Sequence, residues 1–159
     1  MAIALVVDTE AYSTDGENVT TPAIDTTGAN LIVITFIATA GTTPTLSDSK
    51  TNTWNALTST TGLNSRCQLY YAIDPTVGAS HTFTLDGGVV NFPAILVQAF
   101  SGGSGGFDVQ NGAGGLVDNI QTGSVTPTEN NEVLVTGVSE AGGGVTFSID
   151  SGFTISGQQ

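Results

Sequence analysis

No window of twelve residues in this chain carries an apolar stripe at helical spacing, and that confines it to β architecture. Apolar residues come instead in short runs, broken roughly every 8–15 residues by clusters of Gly, Asn, Asp, Ser and Thr. Thr, Val and Ile fill those runs. Their branched side chains are stiff at the first torsion and suit a pleated strand better than a helical turn. The 21 glycines weaken helix formation further.

The pattern predicts strands at 3–7, 31–38, 53–58, 67–73, 81–85, 94–100, 116–120, 133–138 and 145–149, with a short one at 153–155. Two of these, 31–38 and 94–100, are apolar at both parities, as strands buried on both faces are. One such strand at the middle of each sheet gives an all-β, two-sheet antiparallel β-sandwich of jelly-roll or immunoglobulin-like type. In 67–73, Cys67, Leu69, Tyr71 and Ile73 share one face, and Gln68, Tyr70 and Ala72 the other. The turn Asp48-Ser49-Lys50-Thr51-Asn52 offers Asp and Asn side chains that cap their own backbone and favour a tight hairpin. Asp86-Gly87-Gly88 tolerates positive φ. The glycine-rich stretch 101–115 reads as a long loop crossing between sheets, because neither half alone has strands enough for two layers. Residues 1–159 thus form one domain, within the usual size of about 100–200 residues.

Charge removes whole classes of function. Lys50 and Arg66 stand against 14 acidic residues, for a net charge of −12. Such a chain repels nucleic-acid phosphates, anionic membranes and anionic substrates, so neither nucleic acid nor membrane is expected as a partner. Residues 31–38, the longest apolar run, fall far short of the roughly 20 needed to span a bilayer. The start, Met1 to Asp8, has no basic residue and is not a secretion signal, so the sequence predicts a soluble protein. Cys67 has no partner for a disulfide and reads as a small buried apolar side chain.

Little catalytic material remains. His81, the one imidazole, opens an alternating strand where a solvated ring is common. Gly102-Gly103-Ser104-Gly105-Gly106 matches a nucleophile elbow by letters alone, since no helix follows it. Asp8 with Glu10, and Asp15 with Glu17, have the spacing to bring two carboxylates roughly 5–9.5 Å apart, as glycoside hydrolysis needs. Fourteen acidic residues yield such pairs by chance, and most lie in loops and turns. Asp15 to Asn18 and the turn 48–52 offer oxygens of the kind calcium prefers, without the EF-hand spacing. Zinc lacks nitrogen and sulfur ligands, and no phosphate-binding motif is present. No catalytic, cofactor-binding or metal residue is therefore assigned, and no cofactor is expected. Among aromatics, Trp54 is expected in the core, Tyr70 outward as a candidate sugar platform, and Tyr12 and Tyr71 as further candidates. Asn18-Val19-Thr20 matches the N-glycosylation triplet, which means little without an export signal.

The segment Asp48-Ser49-Lys50-Thr51-Asn52-Thr53-Trp54 resembles the Asp-Ser-x-Gly-Asn-x-Trp turn of a loose group of β-sandwich proteins in tailed bacteriophages and some bacterial surface proteins. The likeness continues, in order, through Leu69-Tyr70-Tyr71-Ala72, Ser80-His81-Thr82-Phe83-Thr84, the strand ending Phe100-Ser101-Gly102, Asn131-Glu132-Val133-Leu134-Val135, and Ser151-Gly152-Phe153-Thr154. Thr51 replaces the turn glycine, which is conservative only at negative φ. Members of the group continue past the last piece with one or two further strands. That implies an open sheet edge after Gln159, or a fragment. The resemblance implies a non-enzymatic virion protein, made in the host cytoplasm and exposed on the capsid surface as a head decoration or cement subunit. It would touch the major capsid protein or neighbouring copies of itself as a homo-oligomer. The alternative it leaves is a receptor- or carbohydrate-binding module of a tail fibre or spike. A small glycosidase or calcium-dependent enzyme is a third. The binding residues are undetermined, with the arm up to Glu10 and the glycine loop as candidates.

Overall fold

In the computed structural model, residues 2–16, 18–39, 41, 44–62, 64–86, 92–103, 105–115, 121–140, 154 and 156 are described. Their strands are β1 (Ala4–Tyr12), β2 (Val19–Thr20), β3 (Leu31–Thr39), β4 (Thr45–Asp48), β5 (Asn55–Ala56), β6 (Thr60–Thr61), β7 (Ser65–Ile73), β8 (Phe83–Asp86) and β9 (Ala94–Ser101). No helix occurs among the described residues. Six strands form one antiparallel sheet in the order β1-β9-β3-β7-β5, with β6 also on β7. The other sheet is β2-β8-β4. The two pack together as a β-sandwich, as the periodicity predicts.

β3 is the axis of the larger sheet. It pairs with β7 from Leu31↔Ile73 to Thr39↔Ser65, and on its other side with β9 from Leu31↔Phe100 to Ile37↔Ala94. Alternation sends Ile32, Ile34, Phe36 and Ala38 to the inner face, beside Tyr70 of β7 and Ile95, Val97 and Ala99 of β9. Val19, Phe83 and Leu85 of the small sheet meet them across the core. Each fully buried Ile, Leu or Phe contributes about 1.5–3 kcal/mol of transfer free energy, so this layer is the main stabilising element.

The two doubly apolar strands are not the centres of separate sheets. β3 and β9 are neighbours in one sheet. They are apolar at both parities because that sheet is covered on its outer face as well. There Val33, Thr35, Cys67 and Phe100 are buried. Gly137 rests against this face, in a segment where Val133, Val135, Gly137 and Ser139 are half-buried and Leu134, Thr136, Val138 and Glu140 exposed. A Cβ on Gly137 would lie 2.5 Å from Thr35 Cγ2 and 2.8 Å from Cys67 Sγ. The strand expected at 133–138 is not formed among the described residues, where no ladder pairs this segment.

Other boundaries move. β1 runs to Tyr12 rather than ending at Val7, because β9 offers it partners from Ser101 to Ala94. The strand expected at 53–58 contracts to β5. The turn at 48–52 is not a hairpin: β4 pairs with β8 and β5 with β7, so the chain changes sheets there. β2, β4 and β6 were not predicted. The glycine loop lies along the β5–β6 side of the large sheet. The Gln110 side chain takes Thr58 N–H at 3.0 Å and donates to Thr58 O at 3.4 Å. Gly112 and Gly114 sit against Thr60 and Thr61. The strands expected at 116–120, 145–149 and, but for Thr154, 153–155 lie outside the described residues, as does Gly87-Gly88.

Gly137→Ala tests the outer layer. The added methyl has no room beside Thr35 and Cys67, so overpacking should cost about 1–3 kcal/mol in urea unfolding. A loss below about 0.5 kcal/mol would mean that Gly137 does not rest on this face.

Candidate functional site

The densest polar cluster centres on Asp48, at the end of β4. Its Oδ1 accepts from Lys50 N at 2.8 Å, Asn52 Nδ2 at 3.1 Å and His81 Nε2 at 3.0 Å. Its Oδ2 accepts from Asn52 N and Trp54 Nε1, each at 3.0 Å. The Asp48 and His81 side chains have no solvent exposure. A carboxylate that accepts from every neighbour requires a proton on His81 Nε2. In the neutral ring, Nδ1 then accepts from Thr26 Oγ1 at 2.9 Å. Thr26 Oγ1 in turn accepts from Gly78 N at 3.1 Å. The sequence spacing now has a cause: offsets of two, four and six from Asp48 deliver two backbone N–H groups, an amide and an indole to one carboxylate.

Asn52 extends the cluster. It donates to Thr76 O at 3.1 Å and accepts Thr76 N at 2.6 Å, clamping the loop after β7. Lys50 Nζ donates to Ala79 O at 3.0 Å in the same loop. The His81 ring stacks on Phe83 with centroids 4.2 Å apart and planes at 25°. Trp54 meets Phe83 edge-on at 6.1 Å.

Asp48, His81 and Thr26 have the connectivity of an acyl-transfer triad: carboxylate, imidazole, hydroxyl. Burial removes that chemistry. Thr26 and His81 are both 0% exposed, so no substrate carbonyl comes within attacking distance of the hydroxyl. The cluster is a structural knot. His81 is therefore not the solvated ring expected from its place at a strand start, because two partners 33 and 55 residues away hold its nitrogens.

The other candidates disperse. Asp8 is exposed and Glu10 half-buried on the same outer face of β1. Asp15 accepts from the Ser13 hydroxyl, and Glu17 lies outside the described residues. The oxygens of Asp48 face five donors, which leaves them unsuited to calcium. Among the described residues no group of three or more His, Cys, Asp or Glu side chains is placed to hold a metal. Trp54 is half-buried and packs on the core, close to expectation. Tyr70 points inward, not outward: it is 8% exposed, and its hydroxyl donates to Gln68 Oε1 at 3.3 Å. Both parities of β7 are apolar, and the small sheet covers the face that holds Tyr70. Tyr71 is half-buried and stacks on Phe107 at 6.0 Å. Tyr12 remains exposed. Phe92 and Phe107, exposed at 64% and 45%, were not anticipated. Asn18 is exposed. Cys67 is buried, and desolvation pushes its thiol up to about 11, so it stays protonated and inert near neutral pH, as expected. At the surface, Thr128 holds the Asp108 carboxyl below the usual carboxylate range through its N–H and hydroxyl.

In comparison with known proteins, the chain matches no family model, no curated protein and no solved structure.

Two substitutions bracket the knot. Asp48→Ala strands the indole, the imidazole and two backbone donors without an acceptor, and should cost about 3–5 kcal/mol in urea unfolding. A loss under about 1 kcal/mol would show that the donors find other partners. Thr51 sits at φ 60°, where a β-branched residue is strained. Thr51→Gly should therefore stabilise the fold by about 1 kcal/mol, a rise in Tm of about 2–4 °C. A fall in Tm would mean that the strain is absent.

Proposed function

We propose that this chain is a non-enzymatic structural protein of a tailed-phage virion, carried on the head surface as a decoration or cement subunit. The observation that carries this reading is where the chemistry lies. The imidazole and the most heavily bonded carboxylate are sealed inside as framework. Among the described residues, the groups left to solvent are hydroxyl, amide and acidic side chains together with apolar residues, including Leu5, Val6 and Tyr12 on the edge strand β1. Such a surface works by contact, through interfaces of about 800 Å² per partner. The ordered resemblance from the Asp48–Trp54 turn to Thr154 supports the phage assignment. The net charge of −12 suits a surface held permanently in solvent. A glycan-binding module is the weaker reading, because Tyr70, the platform it needed, is buried.

Purified protein mixed with phage shells lacking their decoration subunit should co-sediment to a saturating, integral stoichiometry. Failure to bind at any concentration removes the head assignment. A positive glycan array under the same conditions would replace it with the tail-module reading.

A further inference from the structure

We infer that the outer edge of β1 is a docking strand for an extended segment of another protein, one that carries a Lys or Arg between apolar residues. The inference rests on the contact-making role proposed above for its choice of a protein partner. Its location and chemistry come from β1 itself.

β1 ends the six-stranded sheet and, among the described residues, pairs along its length only with β9. It is nine residues long and contains neither Pro nor Lys, the residues that commonly blunt an edge. One irregularity, between Leu5 and Val7, shifts its register. The shift leaves Leu5, Asp8 and Tyr12 opposite Phe100, Gln98 and Ala94, all on the outer face. These three side chains are exposed, Leu5 at 49% and Tyr12 at 60%. Glu10, half-buried opposite Leu96, adds a second carboxylate to the same face, so the edge reads apolar, acidic, acidic, apolar.

Charge chooses the occupant. A second copy paired antiparallel over the whole of β1 has its two-fold axis at residue 8. Asp8 then faces its own mate at about 4.5–5.5 Å between Cβ atoms, a destabilising like-charge pair. Two chains of −12 add long-range repulsion. A copy also has little to offer in return, since Lys50 and Arg66 donate to Ala79 O and Gln68 Oε1 of their own chain. A foreign strand with a central cation meets the same carboxylate as a partner. In strand addition, main-chain bonds supply affinity and alternate side chains supply selectivity.

The test uses the full chain and two nine-residue peptides of alternating Val and Thr, one with a central Lys and one with a central Glu. Amide hydrogen exchange and NMR shifts locate binding, and sedimentation velocity reports self-association. The Lys peptide should protect β1 amides and bind at least tenfold more tightly than the Glu peptide. Asp8→Lys should reverse that order, and 1 M NaCl should weaken the Lys peptide as screening shortens to about 3 Å. Equal binding of both peptides, no response in β1, or a wild-type dimer protected at β1 would each overturn the inference. Shell co-sedimentation separates it from the virion assignment. Shells that bind wild type and Asp8→Lys equally sink the docking strand alone. Shells that bind neither, with the Lys peptide still on β1, sink only the virion assignment.

Discussion

One buried carboxylate decides where the chain leaves one sheet and enters the other. Asp48 closes β4 in the small sheet, and its five donors come from the turn, from the approach to β5 and from the approach to β8. An ionised group without those donors is too costly inside a protein, so they must arrive together. Through His81 the demand passes to Thr26, and the Ile24–His81 bridge places that segment beside β8. Through Asn52 it passes to the loop after β7. Three stretches distant in sequence, around Thr26, Asp48 to Trp54 and Thr76 to His81, are thereby fixed relative to one another around two oxygen atoms.

The second constraint is that the large sheet has no dry face to spare. Its inner side is closed by Phe83, Leu85 and Val19. Its outer side carries Val33, Cys67, Leu69 and Phe100, too apolar to leave in water. Gly137 and the Phe107 stack lie over this side, and Gln98 donates to Ser156 from it at 2.9 Å. The chain past β9 acts as cover, and glycine appears where the cover must approach closely. At Gly114, a Cβ would come 2.3 Å from Thr61 O.

These constraints explain what the sequence could disclose. β3 was legible because all nine of its residues are apolar or β-branched, and β9 because only Gln98 interrupts the apolar run Ala94–Phe100; such runs admit few other readings. Their assignment to different sheets failed because double burial tells only that a strand is covered twice, not by what. The inward face of β7 was ambiguous for a related reason: with aromatics at 70 and 71, parity cannot say which sits under the small sheet. β2, β4 and β6, of two to four residues, are set by partners and leave no periodic trace. The caps in the Asp48 turn were legible, being local. His81 was not, since both its partners are remote in sequence. The buried knot thus left a partial trace, and its aromatic contacts none.

Burial of the polar knot and the character of the surface bear on each other. On the function proposed above, a fold that spends its imidazole on its own framework works through the shape and charge of its surface. On the contact-making reading, copies displayed side by side stand at high local concentration, where a nine-residue edge strand is a hazard. Pro or Lys on that edge would remove the hazard, but Pro would also spoil the edge for any partner. A carboxylate at its midpoint acts differently. Asp8 repels an identical edge most strongly in the register of greatest overlap, while leaving the backbone groups of β1 intact for a strand of opposite charge. One side chain then serves both to keep copies apart and to admit a different protein.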